Sequence, residues 1–232
     1  MHTIMQREIS HRTLPIELQV DRPVSDSLDF LEPFGCAVAF GRTDQIYRHD
    51  DPVRFCWKIL SGCAREVLSM EDGRRQIREF RWPGDLLGME DQERHFFDVE
   101  AVTDLTLRRY PRKVLEAHAK INAALALRLR MMTLANLHAA NRQIALLGRA
   151  TAVERIAAFL LEMDRRPERT HGPLVELPMC RTDIADHLGL SIETVCRNLV
   201  HLQREGTVLI LRMGVELLNR DALCELAHEP RY

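Results

Sequence analysis

The chain carries three successive patterns of apolar and polar positions. From Cys36 onward, short apolar runs such as Phe55-Cys56-Trp57-Lys58-Ile59-Leu60 alternate with turn clusters. These clusters are His49-Asp50-Asp51-Pro52, Ser61-Gly62, Glu71-Asp72-Gly73-Arg74 and Trp82-Pro83-Gly84-Asp85. Breaks about every ten residues predict a small all-β barrel or jelly roll. From Arg112 the turn signals vanish, with no Pro or Gly between Pro111 and Gly148. Ala, Leu, Met and Arg dominate this stretch, and all favour helix. A spacing of four and three runs through Leu125, Leu129, Met132, Asn136, Ala139, Gln143 and Leu146. Such a seam, with two polar positions, suits a helix pair whose register is set by buried polar groups. It also suits a helix lying along its own barrel, and the two can coexist. A helix of about 35 residues would be ~50 Å long. That outreaches one barrel and favours dimerisation.

Gly148 is expected to close the long helix. A new amphipathic run, Ala152 to Leu161, follows it, and Pro167 with His171-Gly172-Pro173 predicts a loop. The stretch Leu177 to Leu202 then reads as helix, tight turn, helix. Ile184, Ala185 and Leu188 make one apolar face. Gly189 stands where a left-handed C-cap is needed, Leu190 plugs the corner, and Ser191 is a good N-cap for the next helix. Val195, Leu199 and Leu202 face inward, which leaves Ile192, Glu193, Cys196 and Arg197 outside. In a helix-turn-helix unit these N-terminal residues of the second helix enter the major groove. Arg197 can donate two hydrogen bonds to guanine, and Glu193 can accept from cytosine or adenine. After Glu205-Gly206, Val208 to Leu211 and Val215 to Leu218 read as a hairpin wing with Arg212 at its tip. The pattern therefore predicts an α+β chain. It has an arm (1–35), a sensor-like jelly-roll β-barrel (36–111), a dimerisation helix (112–148) and a winged helix-turn-helix (149–232).

Composition narrows the function. The chain has 232 residues and a formal charge of −2. Of its 32 basic residues only Lys58, Lys113 and Lys120 are lysines. Residues 150–232 carry 10 Arg and 13 Asp plus Glu. Since phosphate neutralisation dominates non-specific affinity, DNA binding must rest on a local patch, with salt-dependent and modest non-specific affinity. That patch is Arg181, Arg197, Arg204 and Arg212, with Ser191 and Thr194 as further backbone contacts. No apolar run approaches the ~20 residues of a membrane helix, and the first residues lack an apolar signal core, so a cytoplasmic location is expected. The six cysteines are scattered with no C-x-x-C pair, and the ten histidines form no H-x-H, H-x-x-H or H-E-x-x-H. Disulfide frameworks and familiar zinc spacings are absent, as are G-x-S-x-G, the phosphate-loop and the dinucleotide fingerprints. The motif-rich enzyme classes, including a cupin-like metal enzyme, lose their support.

The ensemble resembles the CRP/FNR superfamily of bacterial transcription regulators over about residues 36–225. Its anchors are Ser61-Gly62, Asp72-Gly73, Pro83-Gly84-Asp85 with Gly88, Tyr110-Pro111-Arg112, and the unit from Asp183 to Arg197. Leu146-Leu147-Gly148-Arg149, the run Glu154 to Met163, and Ile184 to Leu190 look most like its FixK group. The resemblance implies a homodimer on double-stranded DNA, at a two-fold site close to TTGAT-N4-ATCAA, activating promoters through RNA polymerase. It implies control of low-oxygen metabolism. Glu193 and Arg197 fall on the base-reading positions of the family pattern E-x-x-S-R, with Ile192 near a thymine methyl. Cys196 departs from that pattern, and a thiol is a weaker donor than a hydroxyl.

The family's iron–sulfur members hold their cluster through cysteines in the N-terminal arm, and residues 1–35 contain none. The cyclic-nucleotide pocket needs a Gly-Glu-Leu turn and an Arg-Ser pair. The matching positions are Gly88-Met89-Glu90 and His95-Phe96, which removes the phosphate clamp and is expected to fill the space. No obligatory cofactor is therefore expected. A barrel holding a small molecule, or a haem on His49, His95 or Met89, is the alternative within regulation. A protein-binding winged helix is the alternative outside it. Cys180 falls at a helix N-cap, with Asp183 three residues on and Arg181 beside it. A thiol so placed is oxidation-prone, and its oxidation would set negative charge near the DNA backbone. Oxidation of Cys180 is expected to block DNA binding.

Overall fold

A computed structural model describes residues 33–90, 92–166 and 172–228. The expected arm falls outside the described residues up to position 32, as do Pro167 and His171 of the expected loop. Eight strands come first. They are β1 (Cys36–Phe40), β2 (Gln45–Tyr47), β3 (Phe55–Ser61), β4 (Ala64–Ser69), β5 (Arg75–Arg81), β6 (Leu86–Leu87), β7 (Asp98–Ala101) and β8 (Leu105–Pro111). They form two antiparallel four-stranded sheets, ordered β1-β8-β3-β6 and β2-β7-β4-β5. Trp57, Ile59, Ala64, Leu87, Val99, Leu105 and Leu107 fill the space between them. Each predicted turn cluster falls at a strand boundary, with Ser61 the last residue of β3. At Gly62 the backbone has φ +91°, and a Cβ would lie 2.3 Å from the Asp104 carbonyl oxygen. Only glycine fits that approach.

The helical stretch differs from its expectation. It is two helices, α1 (Arg112–Ile121) and α2 (Ala123–Arg149), broken at Asn122. Asn122 is extended, and its side chain accepts from the Leu125 N–H at 3.0 Å, so it starts α2 as an N-cap. Asparagine competes for backbone donors and so favours caps over helix interiors, a signal masked here by the helix formers around it. Gly148 does not end the helix either, since α2 runs through Arg149 and Ala150 is the extended cap. At 27 residues, α2 is about 40 Å long.

The seam Leu125, Leu129, Met132, Asn136, Ala139, Gln143 and Leu146 faces its own subunit. Leu125 is fully buried in a cluster with Cys56, Leu86, Tyr110 and Leu115, and Leu129 and Met132 pack against that cluster. Asn136 accepts from the Arg81 guanidinium at 2.9 Å. Gln143 donates to the His187 carbonyl at 2.8 Å. Ala139 and Leu146 are half-buried. These side chains thus find partners within their own subunit, one of the two roles the spacing leaves open. The opposite face of α2 carries Leu127, Met131, Leu134, Leu137 and Ile144, between 37% and 69% exposed.

The C-terminal part contains α3 (Ala152–Asp164), β9 (Leu174–Glu176), α4 (Arg181–Leu188), α5 (Ile192–Arg204), β10 (Val208–Leu211), β11 (Gly214–Leu217) and α6 (Arg220–Leu226). The three strands pair in the order β10-β11-β9. Its core joins the barrel: Val67, Ile77 and Phe80 belong to one cluster with Phe159, Leu160, Ile184, Leu188 and Leu199. His187 sits at this junction. Its ring lies 5.3 Å from Phe80 and 5.8 Å from Phe159, and its Nδ1 is 3.1 Å from the Ile77 carbonyl.

Burial lowers the pKa of His187 from 6.5 to about 4. The unfolded chain therefore binds one more proton between those pH values, and stability falls as pH drops from about 6.5 toward 4. A shift of this size corresponds to on the order of 3 kcal/mol. Urea unfolding at pH 7, 5.5 and 4.5 is expected to show that loss in the native chain and a flatter slope in His187→Phe. Equal slopes in the two proteins would contradict the assignment.

Candidate nucleic-acid interface

The candidate site is the outer face of α5. Ser191 caps this helix, its Oγ accepting from the Thr194 N–H at 3.2 Å, with the Thr194 hydroxyl 3.0 Å away. Thr194, expected at the DNA backbone, thus has its hydroxyl at the helix cap and is half-buried. Gly189 is left-handed at φ 62°, ψ 41°, the conformation glycine enters without a Cβ penalty. It turns the chain from α4 into Leu190 and the α5 cap. Val195, Leu199 and Leu202 are at most 2% exposed. They lock one side of α5 into the core, and the helical period delivers the other side to solvent.

Ile192, Glu193, Cys196 and Arg197 are all exposed. Among the described residues, Arg197 has no carboxylate within ion-pair distance. The Glu193 carboxyl is held below its ordinary range by its own backbone N–H, then by the Ser191 hydroxyl, with the Arg197 charge adding. At neutral pH this face therefore presents an ionised acceptor and a five-donor guanidinium one turn apart. Farther along α5, Cys196, Arg197, Asn198, Val200, His201 and Arg204 line a shallow open depression. Asn198 donates back to the Thr194 carbonyl at 2.8 Å. Arg212 and Met213 form the two-residue turn between β10 and β11, and both are exposed. Arg181 is half-buried at the start of α4. Cys180 is exposed at the α4 N-cap, and its backbone N–H donates to Asp183 Oδ2 at 3.2 Å.

The reading unit is held by side chains that carry no sequence signal of their own. Arg155 donates to the Ala150, Leu147 and Leu188 carbonyls, each at 2.9 Å. One guanidinium thereby serves the C-terminal ends of both α2 and α4, whose last carbonyls have no partner within their own helix. Barrel residues Arg65 and Arg75 pair with Asp183 and Asp186 on α4. In sequence each of these is only another charge.

His95 is buried and stacked on Tyr47, with ring centroids 3.6 Å apart, and its Nδ1 lies 3.3 Å from Glu90 Oε1. Phe96, expected to fill the nucleotide space, is 49% exposed. In this non-strand segment before β7, His95 is the residue that turns inward, against Tyr47, while Phe96 turns out. Between barrel and α2, a cavity of about 20 Å3 is lined by Arg81, Met89, Leu129, Met132 and Asn136 among others. That is room for about one water. His49 is exposed, and Met89 packs on the Leu125 cluster. Among the described residues no three His, Cys, Asp or Glu side chains form a metal-binding group, and no helix is long and apolar enough to cross a membrane.

Comparison with known proteins agrees with this geometry. Residues 37–122 match the cyclic nucleotide-binding domain model, and residues 154–226 match the Crp-like helix-turn-helix domain model. The chain is 42% identical over 196 residues to the nitrogen fixation regulation protein FixK of Azorhizobium caulinodans, covering 83% of this chain and 79% of the relative. It is 35% identical to FixK of Bradyrhizobium diazoefficiens, covering 81% and 80%. The solved structure of FixK2 from Bradyrhizobium japonicum superposes with a TM-score of 0.79 at 37% identity, over 85% of this chain and 98% of that one. Two domain models matched in this order, together with relatives of this identity over most of both chains, place the chain in the CRP/FNR family of transcription regulators, within its FixK-type group.

Proposed function

We propose that the chain is a homodimeric activator that reads a two-fold DNA site close to TTGAT-N4-ATCAA and recruits RNA polymerase to the adjacent promoter. One observation carries this reading. Glu193, Cys196 and Arg197 stand exposed on one side of α5, and the other side is sealed into the core. Arg197 reads guanine O6 and N7, and Glu193 accepts from the amino group of a neighbouring base. Ile192 lies against a thymine methyl, and Cys196 reads its base weakly. Arg181, Arg204 and Arg212 are assigned to phosphates. The protein controls low-oxygen metabolism in this reading, and the process that the names of the FixK relatives state is nitrogen fixation. Activity follows the amount of protein and the state of its thiols. The small volume left between barrel and α2 supports control without a nucleotide.

The homodimer seam lies on the outer face of α2, through Leu127, Met131, Leu134, Leu137 and Ile144. These apolar side chains are exposed in the single subunit, and a second copy of α2 would cover them by coiled-coil packing. Thiol control centres on Cys180. Burial raises the Cys56 pKa to about 12 and raises that of Cys63 further. Both thiols therefore stay protonated and unreactive. Cys180 is exposed at the start of α4, the helix that crosses the DNA backbone in such units. An oxidised sulfur there repels phosphate.

Three measurements test this reading. Selection of bound DNA from a random pool should return the two-fold site with the native chain. Arg197→Ala should lose about 1–3 kcal/mol of preference at the guanine step, and retained preference would refute its assignment. Leu134→Asp should convert the dimer to monomer in sedimentation, with operator affinity falling at least about 100-fold. An unchanged dimer would move the seam elsewhere. Peroxide should abolish gel-shift binding by the native chain and spare Cys180→Ser. Equal loss in both would reassign the effect to Cys196.

A further inference from the structure

The reading unit α4–α5 follows α2 through α3, and the α2–α3 connection is short. Ala150 and Thr151 are both extended between the two helices. A two-residue link by itself leaves the angle between α5 and α2 loosely set. Three groups of side-chain contacts remove that freedom. Arg155 spans the link, bonding the Leu147 and Ala150 carbonyls on one side and the Leu188 carbonyl on the other. Gln143 on α2 and Gln76 on β5 both donate to the His187 carbonyl, at 2.8 Å and 3.1 Å. On the barrel side, Arg65 reaches Asp183 at 2.5 Å and Glu100 at 2.7 Å. Arg75 reaches Asp186 at 2.9 Å and Asp183 at 3.3 Å, with Glu100 at 3.9 Å.

These contacts hold α4 along its length: Asp183 in its first turn, Asp186 in its middle, and the His187 and Leu188 carbonyls at the end that leads into the Gly189 turn and α5. The Arg65–Asp183 pair is shielded, with side chains 14% and 5% exposed, while Arg75 and Asp186 are half-buried. Screening is weak there, and the cost of leaving a partner unpaired is high. Each contact also has a different anchor, namely α2, α3 and the barrel. Three anchors determine an angle where one would permit rotation.

We propose that Arg65, Arg75, Gln76 and Gln143, acting on Asp183, Asp186 and the His187 carbonyl, are positioning residues for operator spacing. They set the angle of α5 to α2, and through it the number of base pairs between two half-sites. The inference rests on the dimeric DNA-binding reading above. Adding or removing one base pair displaces a half-site by about 3.4 Å and turns it by about 35° about the DNA axis. A rigidly held α5 cannot follow that turn, and a loosely held one can.

The test uses the full chain and duplexes whose half-sites are three, four or five base pairs apart, with affinities read by fluorescence anisotropy. The native chain is expected to favour one spacing by at least about fivefold, the lower end of what a single wrong base pair costs. Arg75→Gln combined with Gln76→Ala, and separately Asp186→Asn, should reduce that ratio to about two- to threefold. In the same variants, replacing the half-site guanine should cost the same factor as in the native chain. An unchanged spacing ratio overturns the proposal. So does a parallel loss of guanine discrimination, because these residues would then maintain the reading unit's fold and not its angle. A native chain that prefers no two-fold site would instead refute the DNA-binding reading itself.

Discussion

A helix that ends inside a protein must find donors for its last carbonyls, and the end of α4 meets this demand with side chains from three other elements. Gln143 comes from the long helix, Gln76 from the barrel and Arg155 from α3. Because unpaired carbonyls are costly away from water, one requirement of hydrogen bonding ties sensor-like barrel, long helix and reading helix into a single body. The shared core around Phe80, Phe159 and His187 fills the space those bonds enclose.

The same logic explains the two-faced α2. Its inner side uses Leu125, Leu129 and Met132 to close the barrel, and uses Asn136 and Gln143 to engage polar groups of the barrel and α4. Its outer side is left apolar and open. Arg81 illustrates the coupling: it is buried against Glu66 and Glu79 in the barrel and also reaches Asn136. A small rotation of α2 would therefore disturb a buried ion pair as well as an apolar contact. Within the barrel His95 stacks on Tyr47, so the segment before β7 is tied to the barrel interior as well.

Much of the reading unit was legible before any coordinates. The turn at Gly189, the cap at Ser191 and the inward set Val195, Leu199 and Leu202 follow from short-range rules: helical period, capping chemistry and left-handed backbone. Those rules also bring Ile192, Glu193, Cys196 and Arg197 to one exposed face. The misreadings arose where local signals competed. Asn122 starts a new helix inside a run of helix formers. The seam from Leu125 to Leu146 has a spacing that serves an intrasubunit contact as well as an intersubunit one. Phe96 is expected inside, yet the bend before β7 turns it out and His95 in, a choice the sequence pattern does not encode.

The sequence alone determined the order of elements, the turn chemistry and the side of α5 left free, because each depends on neighbours within about five residues. The tertiary structure decided which groups the inner face of α2 meets, that His95 turns inward and Phe96 outward, and how Arg65 and Arg75 meet Asp183 and Asp186 across more than a hundred residues. Those outcomes depend on which charges and carbonyls lose access to water together, and chain spacing carries no record of that.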